Sequence, residues 1–284
     1  MRCLLVALLS LCLGASTAAS QKAEDRVPLV DRTYIASRIY SAVQIYFAHW
    51  DGVPELDFET AYRKYLDQIL NTADRREFDL ATIELLAQLR NGHTGFSDPW
   101  LIKNHGASVG FNVRWIDSKW VVSESFRKGI ERGDIIEAID GVPCDQFLQN
   151  RRKYFGLAPG ARGEREALFY RAFLFPQKFT VTLQAGRTVV IDRQAPVNRP
   201  PTPQASEGRW IEEGRIAYIR IPSFGGSNYQ DTALELVKQF SSAQSIIIDV
   251  RRNGGGSTAT SLVEALMDRP FRYSSRRRHS SSGS

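Results

Sequence analysis
Residues 245 to 256 read SIIIDVRRNGGG, and STATSLVEALM follows. Ile246, Ile247 and Ile248, running into Asp249 and Val250, predict a short strand buried on both faces, as in a helix-covered parallel sheet. Gly254, Gly255 and Gly256 then permit a sharp turn whose N–H groups no side chain obstructs. The Ser/Thr run beyond them opens a helix carrying Leu262, Val263, Leu266 and Met267. A strand, a bare amide loop and a helix N-terminus together favour negative charge.

Several readings of that loop compete. Gly254, Gly256 and Ala259 match a dinucleotide-type G-x-G-x-x-A, but no acidic residue stands about 20 positions further on. A phosphate loop requires Gly-Lys-Ser/Thr next, which is missing. A plain strand-to-helix turn requires no chemistry at all. An oxyanion hole requires exposed amides that await the negative oxygen of an acyl-transfer intermediate, and this loop offers them.

At the other end of the chain, Arg2 precedes an apolar run from Leu4 to Leu13, and the small residues of GASTAAS follow. This is the pattern of a signal peptide, with cleavage after Ala18 or Ser20. The run is too short for a permanent anchor, and Leu11 precedes Cys12 where a lipoprotein signal places a small residue. Residues 1–20 are thus expected to direct export to the periplasm or the medium and to leave no membrane span. Cys3 and Cys12 depart with the leader, and Cys144 alone forms no internal disulfide. The four histidines and this cysteine show no ligand spacing, so no metal is expected, and no other cofactor. The formal charge of +6 includes Arg2 and the tail residues Arg276, Arg277 and Arg278. The body is close to balance, and nucleic acid is not an expected partner.

Between Asp31 and Leu89 the apolar residues recur at helical spacing: Ile35, Ile39, Val43 and Tyr46; Phe58, Tyr62, Tyr65, Leu66 and Ile69; Leu80, Ile83, Leu86 and Leu89. Asp57 and Asp79 stand as N-cap candidates. Three amphipathic helices are predicted, with their aromatic stripe in the core. The third ends in QLRNGHTGF, where Gly92 suits a helix stop and His93 lies just beyond. His49 and His105 read as surface or packing residues. Residues 107–148 read as strand, hairpin and strand, then GIERGDIIEAIDGVPC, with Arg127, Lys128 and Arg132 on a solvated face. The segment FTVTLQAGRTVVID adds two alternating strands around Ala185 and Gly186. Pro196, Pro200, Pro201 and Pro203 mark a stiff linker. Beyond it, Ile216 to Ile221 reads as a strand and Tyr229 to Phe240 as a helix, so that β-α-β order implies parallel pairing with the strand at 245.

The run D-V-R-R-N-G-G-G, preceded by GRIAYIRIPSFGG at residues 214 to 226, resembles the C-terminal processing (tail-specific) serine proteases. It is most similar to the branch with the tricorn core and the interphotoreceptor retinoid-binding protein repeats. The resemblance implies an α+β multidomain protein: an N-terminal helical region (21–105), a PDZ-like β-rich domain (106–195), the linker (196–208), and the first part of an α/β, crotonase-like (ββα-type) core (209–273). It carries the role of general base onto His93, and Asn91 stands where an Asp is common in similar sequences. Gly254, Gly255 and Gly256 take part of an oxyanion hole, with Asp249, Arg251 and Asn253 supporting the loop. Ser108, Val109, Gly110 and Phe111 look like a PDZ carboxylate-binding loop, and Gly133 to Ile136 like its Gly-Asp turn and strand. Peptide or unfolded-protein C-termini are the implied partners.

In the family the nucleophilic serine follows the Gly-rich turn after another strand. Here SSRRRHSSSGS, residues 274–284, is a low-complexity tail, so the chain reads as truncated before the nucleophile and inactive as written. Ser257 and Ser261 read as helix-start and helix-surface residues. An incomplete sheet would expose Ile246 and its neighbours and favour self-association as a homo-oligomer. The competing class is a non-catalytic peptide-binding protein or pseudoenzyme, and a retinoid-type carrier is a weaker third reading.

Overall fold
A computed structural model describes residues 24–157, 162–198, 205–251, 253–257, 259–267 and 269. The expected leader, the middle of the linker and the tail lie outside these residues. The chain divides into two compact units with their boundary between Asn198 and Arg199.

The first unit begins with three helices, α1 (Leu29–Tyr46), α2 (Phe58–Asn71) and α3 (Arg75–Ala87). Their shared core includes Ala36, Val43, Phe58, Tyr65, Ile69, Phe78, Leu85 and Leu89. Arg32 is buried in it, and its guanidinium donates to the carbonyls of Ile69 and Thr72 at the end of α2, where helix carbonyls lack partners and favour a cation. Tyr46 falls off the apolar stripe, 80 % exposed, because the inner face of α1 continues instead through Phe47. Asp57 caps α2 by accepting the Thr60 N–H at 3.0 Å. Asp79 is not a cap. Asp74 takes that role by accepting the Glu77 N–H at 2.9 Å, and Asp79 is left inside α3 and buried. The apolar period suggests a start near Leu80, but the Asp74 cap sets the first turn earlier, with the Glu77 carboxylate bonded to the Thr72 hydroxyl.

A fourth helix, α4 (Pro99–His105), was not anticipated. Its signal is the pair Asp98–Pro99: Asp98 accepts the Trp100 N–H at 2.8 Å, and proline fits the first turn.

The rest of this unit is an antiparallel sheet of β1 (Phe111–Ile116), β2 (Lys119–Ser125), β3 (Ile135–Ile139), β4 (Val142–Pro143), β5 (Lys178–Leu183) and β6 (Thr188–Asp192). Its order is β1-β2-β3-β5-β6, with β4 paired to β3. Helices α5 (Cys144–Gln149) and α6 (Arg162–Tyr170) belong to the same unit. Phe147, Leu168, Phe169 and Phe175 pack with Phe111, Trp120, Val181 and Ile191 in a single core. Cys144 is buried there, and burial pushes its thiol up to about 12, so it stays an unreactive apolar filler at neutral pH.

The second unit holds β7 (Glu207–Glu212), β8 (Ile216–Arg220), α7 (Ser227–Gln239), β9 (Ser245–Asp249) and α8 (Thr260–Leu266). Strand β8 runs antiparallel to β7 and parallel to β9, with α7 as the crossover. Ala217, Ile219 and Ile221 pack against Ala233, Val237, Phe240 and Leu262. Strand β9 is not buried on both faces. Ile246 and Ile248 are partly buried against that cluster, while Ile247, paired with Tyr218, is 45 % exposed. Among the described residues helices cover one face only, which a run of isoleucines cannot reveal. No helix among the described residues is long and apolar enough to cross a membrane.

Candidate functional site
Three segments carry the candidate residues, two in the first unit and one in the second.

The histidine turn follows α3. The chain reverses not at Gly92 but at Arg90, whose φ of 48° is left-handed and whose N–H reaches the Ala87 carbonyl at 3.1 Å. The Arg90 side chain pairs with Glu55 at 2.6 Å. Asn91 then makes a local turn: its Oδ1 accepts the His93 N–H at 2.8 Å, and its carbonyl accepts the Thr94 N–H at 3.1 Å. An Asp would hold His93 in the same way, so the Asn at this position changes little. The His93 ring is exposed, and among the described residues no carboxylate or hydroxyl bonds to it. It lines a cleft of about 460 Å³ with Ile39, Val43, Phe47, Leu86 and His49. His49 is exposed and packed, as the sequence suggests. It shares the cleft with His93 and meets Phe47 edge-on at 6.0 Å, a placement that long-range packing alone decides.

The second segment is Ser108 to Phe111. Val109 and Phe111 point into the core, while Gly110 has φ 89° and gives its N–H to Ser108 Oγ at 3.1 Å. Arg127 is not on a solvated face. Its Nε donates to the Val109 carbonyl at 2.6 Å and its terminal nitrogens to the Asp192 and Ser108 carbonyls at 2.7 and 3.4 Å. Burial pulls its pKa below the ordinary arginine value. A Cβ on Gly110 would fall 2.3 Å from this guanidinium, so the glycine and the arginine form one assembly. Replacing Arg127 by Ala removes its bonds to three carbonyls and is expected to lower stability by about 1–3 kcal/mol, with little recovery in Arg127→Lys, since an ammonium cannot span the three acceptors. Thermal melts of the three proteins check this, and unchanged melting in Arg127→Ala would contradict it.

The third segment, residues 249–257, is held by its own side chains. Asp249 Oδ1 accepts Arg251 N and Nε, both at 2.9 Å; Oδ2 accepts an Arg251 terminal nitrogen at 2.7 Å and the Tyr218 hydroxyl at 2.5 Å. The Arg251 guanidinium, then Tyr218, hold the Asp249 carboxyl far below the usual carboxylate range, and Asp249 in turn raises Arg251. Asn253 ties the loop back to β8 through Nδ2 on the Ile221 carbonyl at 3.0 Å, and its Oδ1 accepts the Gly255 N–H at 2.7 Å. The Gly255 carbonyl accepts Phe224 N–H, and the Phe224 carbonyl accepts Ser257 N–H, a parallel bridge at Phe224 and Gly256. At Gly256 φ is 136° and a Cβ would lie 2.1 Å from the Phe224 carbonyl carbon, so only glycine fits.

The three glycines therefore differ. The Gly255 N–H is consumed by Asn253, whereas among the described residues the N–H groups of Gly254 and Gly256 have no acceptor and both residues are exposed. Ser257 lies in the bridge and Ser261 is an exposed residue of α8. No group of three or more His, Cys, Asp or Glu suited to a metal occurs among the described residues.

Residues 215–280 match Peptidase family S41. A tricorn protease homologue (homolog 2) of Streptomyces coelicolor is 23 % identical over 258 residues, covering 79 % of this chain and 20 % of that protein. Among solved structures, mature CPAF complexed with lactacystin superposes with a TM-score of 0.55 at 14 % identity, over 81 % of this chain and 56 % of that one. A second structure of mature CPAF gives 0.51 at 15 % identity over the same shares. The chain thus spans a fifth of the tricorn homologue and a little over half of CPAF. The CPAF likeness bears on the fold, a mixed α+β arrangement.

Proposed function
We propose, for a chain that belongs to the C-terminal processing proteases through its S41 segment, a part in serine-type endopeptidase chemistry directed at polypeptide tails. The observation that carries this reading is the 249–257 loop. It lies within the S41 match and presents the amides of Gly254 and Gly256, which have no acceptor among the described residues, on a frame fixed by Asp249, Arg251 and Asn253. Two exposed N–H groups held by a rigid frame suit the oxygen that becomes negative in acyl transfer, and they lose nothing to reorganisation when it does.

In this reading His93 is the general base, exposed beside an apolar cleft where a polypeptide can lie. The sheet of the first unit acts as a PDZ-like module, with Ser108 to Phe111 receiving a terminal carboxylate and the cation of Arg127 close behind. The second unit belongs to a crotonase-like core. Residues 1–20 direct export. In this reading neither Ser257, beside the Phe224 bridge, nor Ser261, on the surface of α8, is the attacking hydroxyl.

A serine-directed phosphonate tests that last assignment. Incubated with the 284-residue protein, it should leave Ser257 and Ser261 unlabelled, and peptide cleavage should stay near background. Stoichiometric labelling at either serine, lost together with activity in His93→Ala, would overturn the assignment and make this chain an enzyme by itself.

The competing reading, a non-catalytic peptide-binding protein, shares the Ser108–Phe111 loop but has no use for the amide frame at 249–257. The frame favours the peptidase reading.

A further inference from the structure
We propose that Glu166 sets how much of a polypeptide tail the first unit pairs with, by occupying the backbone donor of β1 that the fifth residue of a bound tail needs. The inference rests on Ser108 to Phe111 receiving a terminal carboxylate, and it adds to that reading the length of tail the site accepts. Strand β1 ends its sheet, with β2 on one side. The Gly110 carbonyl accepts the Phe126 N–H at 2.9 Å, so the backbone just before β1 faces β2. Backbone groups alternate along a strand, and those of Phe111, Val113 and Trp115 therefore face the edge away from β2.

Helix α6 lies beside that edge. Arg165 and Glu166 stand four and three positions before Phe169, so the three side chains share one face of the helix. The Phe169 ring meets Phe111 at 5.6 Å and Trp120 at 5.7 Å, and the Arg165 guanidinium lies 4.5 Å from the centre of the Trp115 ring. Between these contacts Glu166 reaches the strand itself: Oε1 accepts the Trp115 N–H at 3.2 Å, and Oε2 accepts an Arg114 terminal nitrogen at 2.7 Å. Only 12 % of the Glu166 side chain is exposed. Displacing it breaks two charge-assisted bonds in a place largely closed to water, which a peptide carbonyl, a weaker acceptor than a carboxylate, does not offset.

A register follows. A tail with its carboxylate at the Ser108–Phe111 loop runs antiparallel to β1, with its last residue opposite Phe111, its third from the end opposite Val113 and its fifth from the end opposite Trp115. The fifth residue needs the Trp115 N–H for its carbonyl, and Glu166 already holds that N–H. Strand addition therefore stops after four residues, and the side chains that decide which tails bind are those of the last four. An extended segment from the interior of a polypeptide has no carboxylate to anchor it and too short an edge to pair with, so the same contact favours ends over interiors.

Peptides of two to eight residues that share one free apolar C-terminus, competed against a labelled peptide on the full chain, test the inference. In the unaltered protein affinity should rise up to the fourth residue and change by less than about twofold beyond it, whereas in Glu166→Ala the fifth and sixth residues should add about threefold or more. Glu166→Gln, whose side-chain carbonyl still accepts the Trp115 N–H, should keep the limit at four, which separates the bond from the loss of charge. Continued gain at the fifth and sixth residues in the unaltered chain overturns the inference whether or not either variant folds. A limit that stays at four in Glu166→Ala, or is lifted equally in Glu166→Gln, overturns it too, while leaving the carboxylate loop in place. If no free-ended peptide of any length binds, the reading of Ser108 to Phe111 falls, and this inference with it.

Discussion

Gly256→Ala should unfold the second unit at a denaturant concentration where the first is still intact. The new Cβ would sit 2.1 Å from the Phe224 carbonyl carbon and 2.3 Å from the Gly225 nitrogen, backbone atoms that cannot swing aside. A φ of 136° adds strain for any residue with a side chain. The bridge joining Phe224 to Gly256 must then open, and with it the bonds that fix residues 253–257 to β8. Overpacking and backbone strain together cost about 2–4 kcal/mol, a large fraction of what so small a unit can hold. The neighbouring glycines supply the contrast. At Gly255 φ is 90° but a Cβ meets nothing within 4 Å, so alanine there costs about 1–2 kcal/mol, for the backbone alone. At Gly254 neither strain nor contact arises, and alanine should be nearly neutral. Hydrogen exchange of β8 amides across the three variants checks the order. Equal exchange in all three would mean that the Phe224 bridge is not what shapes the loop.

The residues that could be read in advance are those whose partners are close in sequence or imposed by periodicity. The helical stripes of α2 and α3, the turn at Ala185 and Gly186, and the crossover from β8 through α7 to β9 all follow from local pattern, and each is present. What sequence could not give is decided by distant partners. Arg127 reads as a solvated charge until Ser108, Val109 and Asp192 bring three carbonyls around it. Asp79 has the spacing of a cap, and only the earlier Asp74–Glu77 pair and the arrival of Asp98 turn it into a buried acid. Arg90, not Gly92, takes the left-handed position, and its side chain pairs with Glu55, thirty-five residues earlier. Within the 249–257 loop, Gly255 could not be told from its neighbours, since that distinction depends on the rotamer by which Asn253 reaches Ile221. The pair Asp98–Pro99 is a local signal from which α4 follows.

Recognition of a polypeptide tail is what separates this reading from a peptidase without end preference, and it is open to direct measurement on the 284-residue chain. A peptide with a free apolar C-terminus should pair along the loop at Ser108 to Phe111, where the Gly110 N–H, now donated to the Ser108 hydroxyl at 3.1 Å, can turn to a carboxylate. Arg127, engaged with the carbonyls of the same loop, adds its positive charge from behind. Amidating the peptide terminus removes the charge-assisted bonds, worth about 1.5–3 kcal/mol, which corresponds to roughly 10- to 150-fold in Kd. Fluorescence anisotropy with matched acid and amide peptides reads that ratio. The account predicts at least tenfold tighter binding of the acid, reduced toward parity when Gly110→Ala pushes against the Arg127 guanidinium. Equal affinity for acid and amide in the unaltered chain would contradict it.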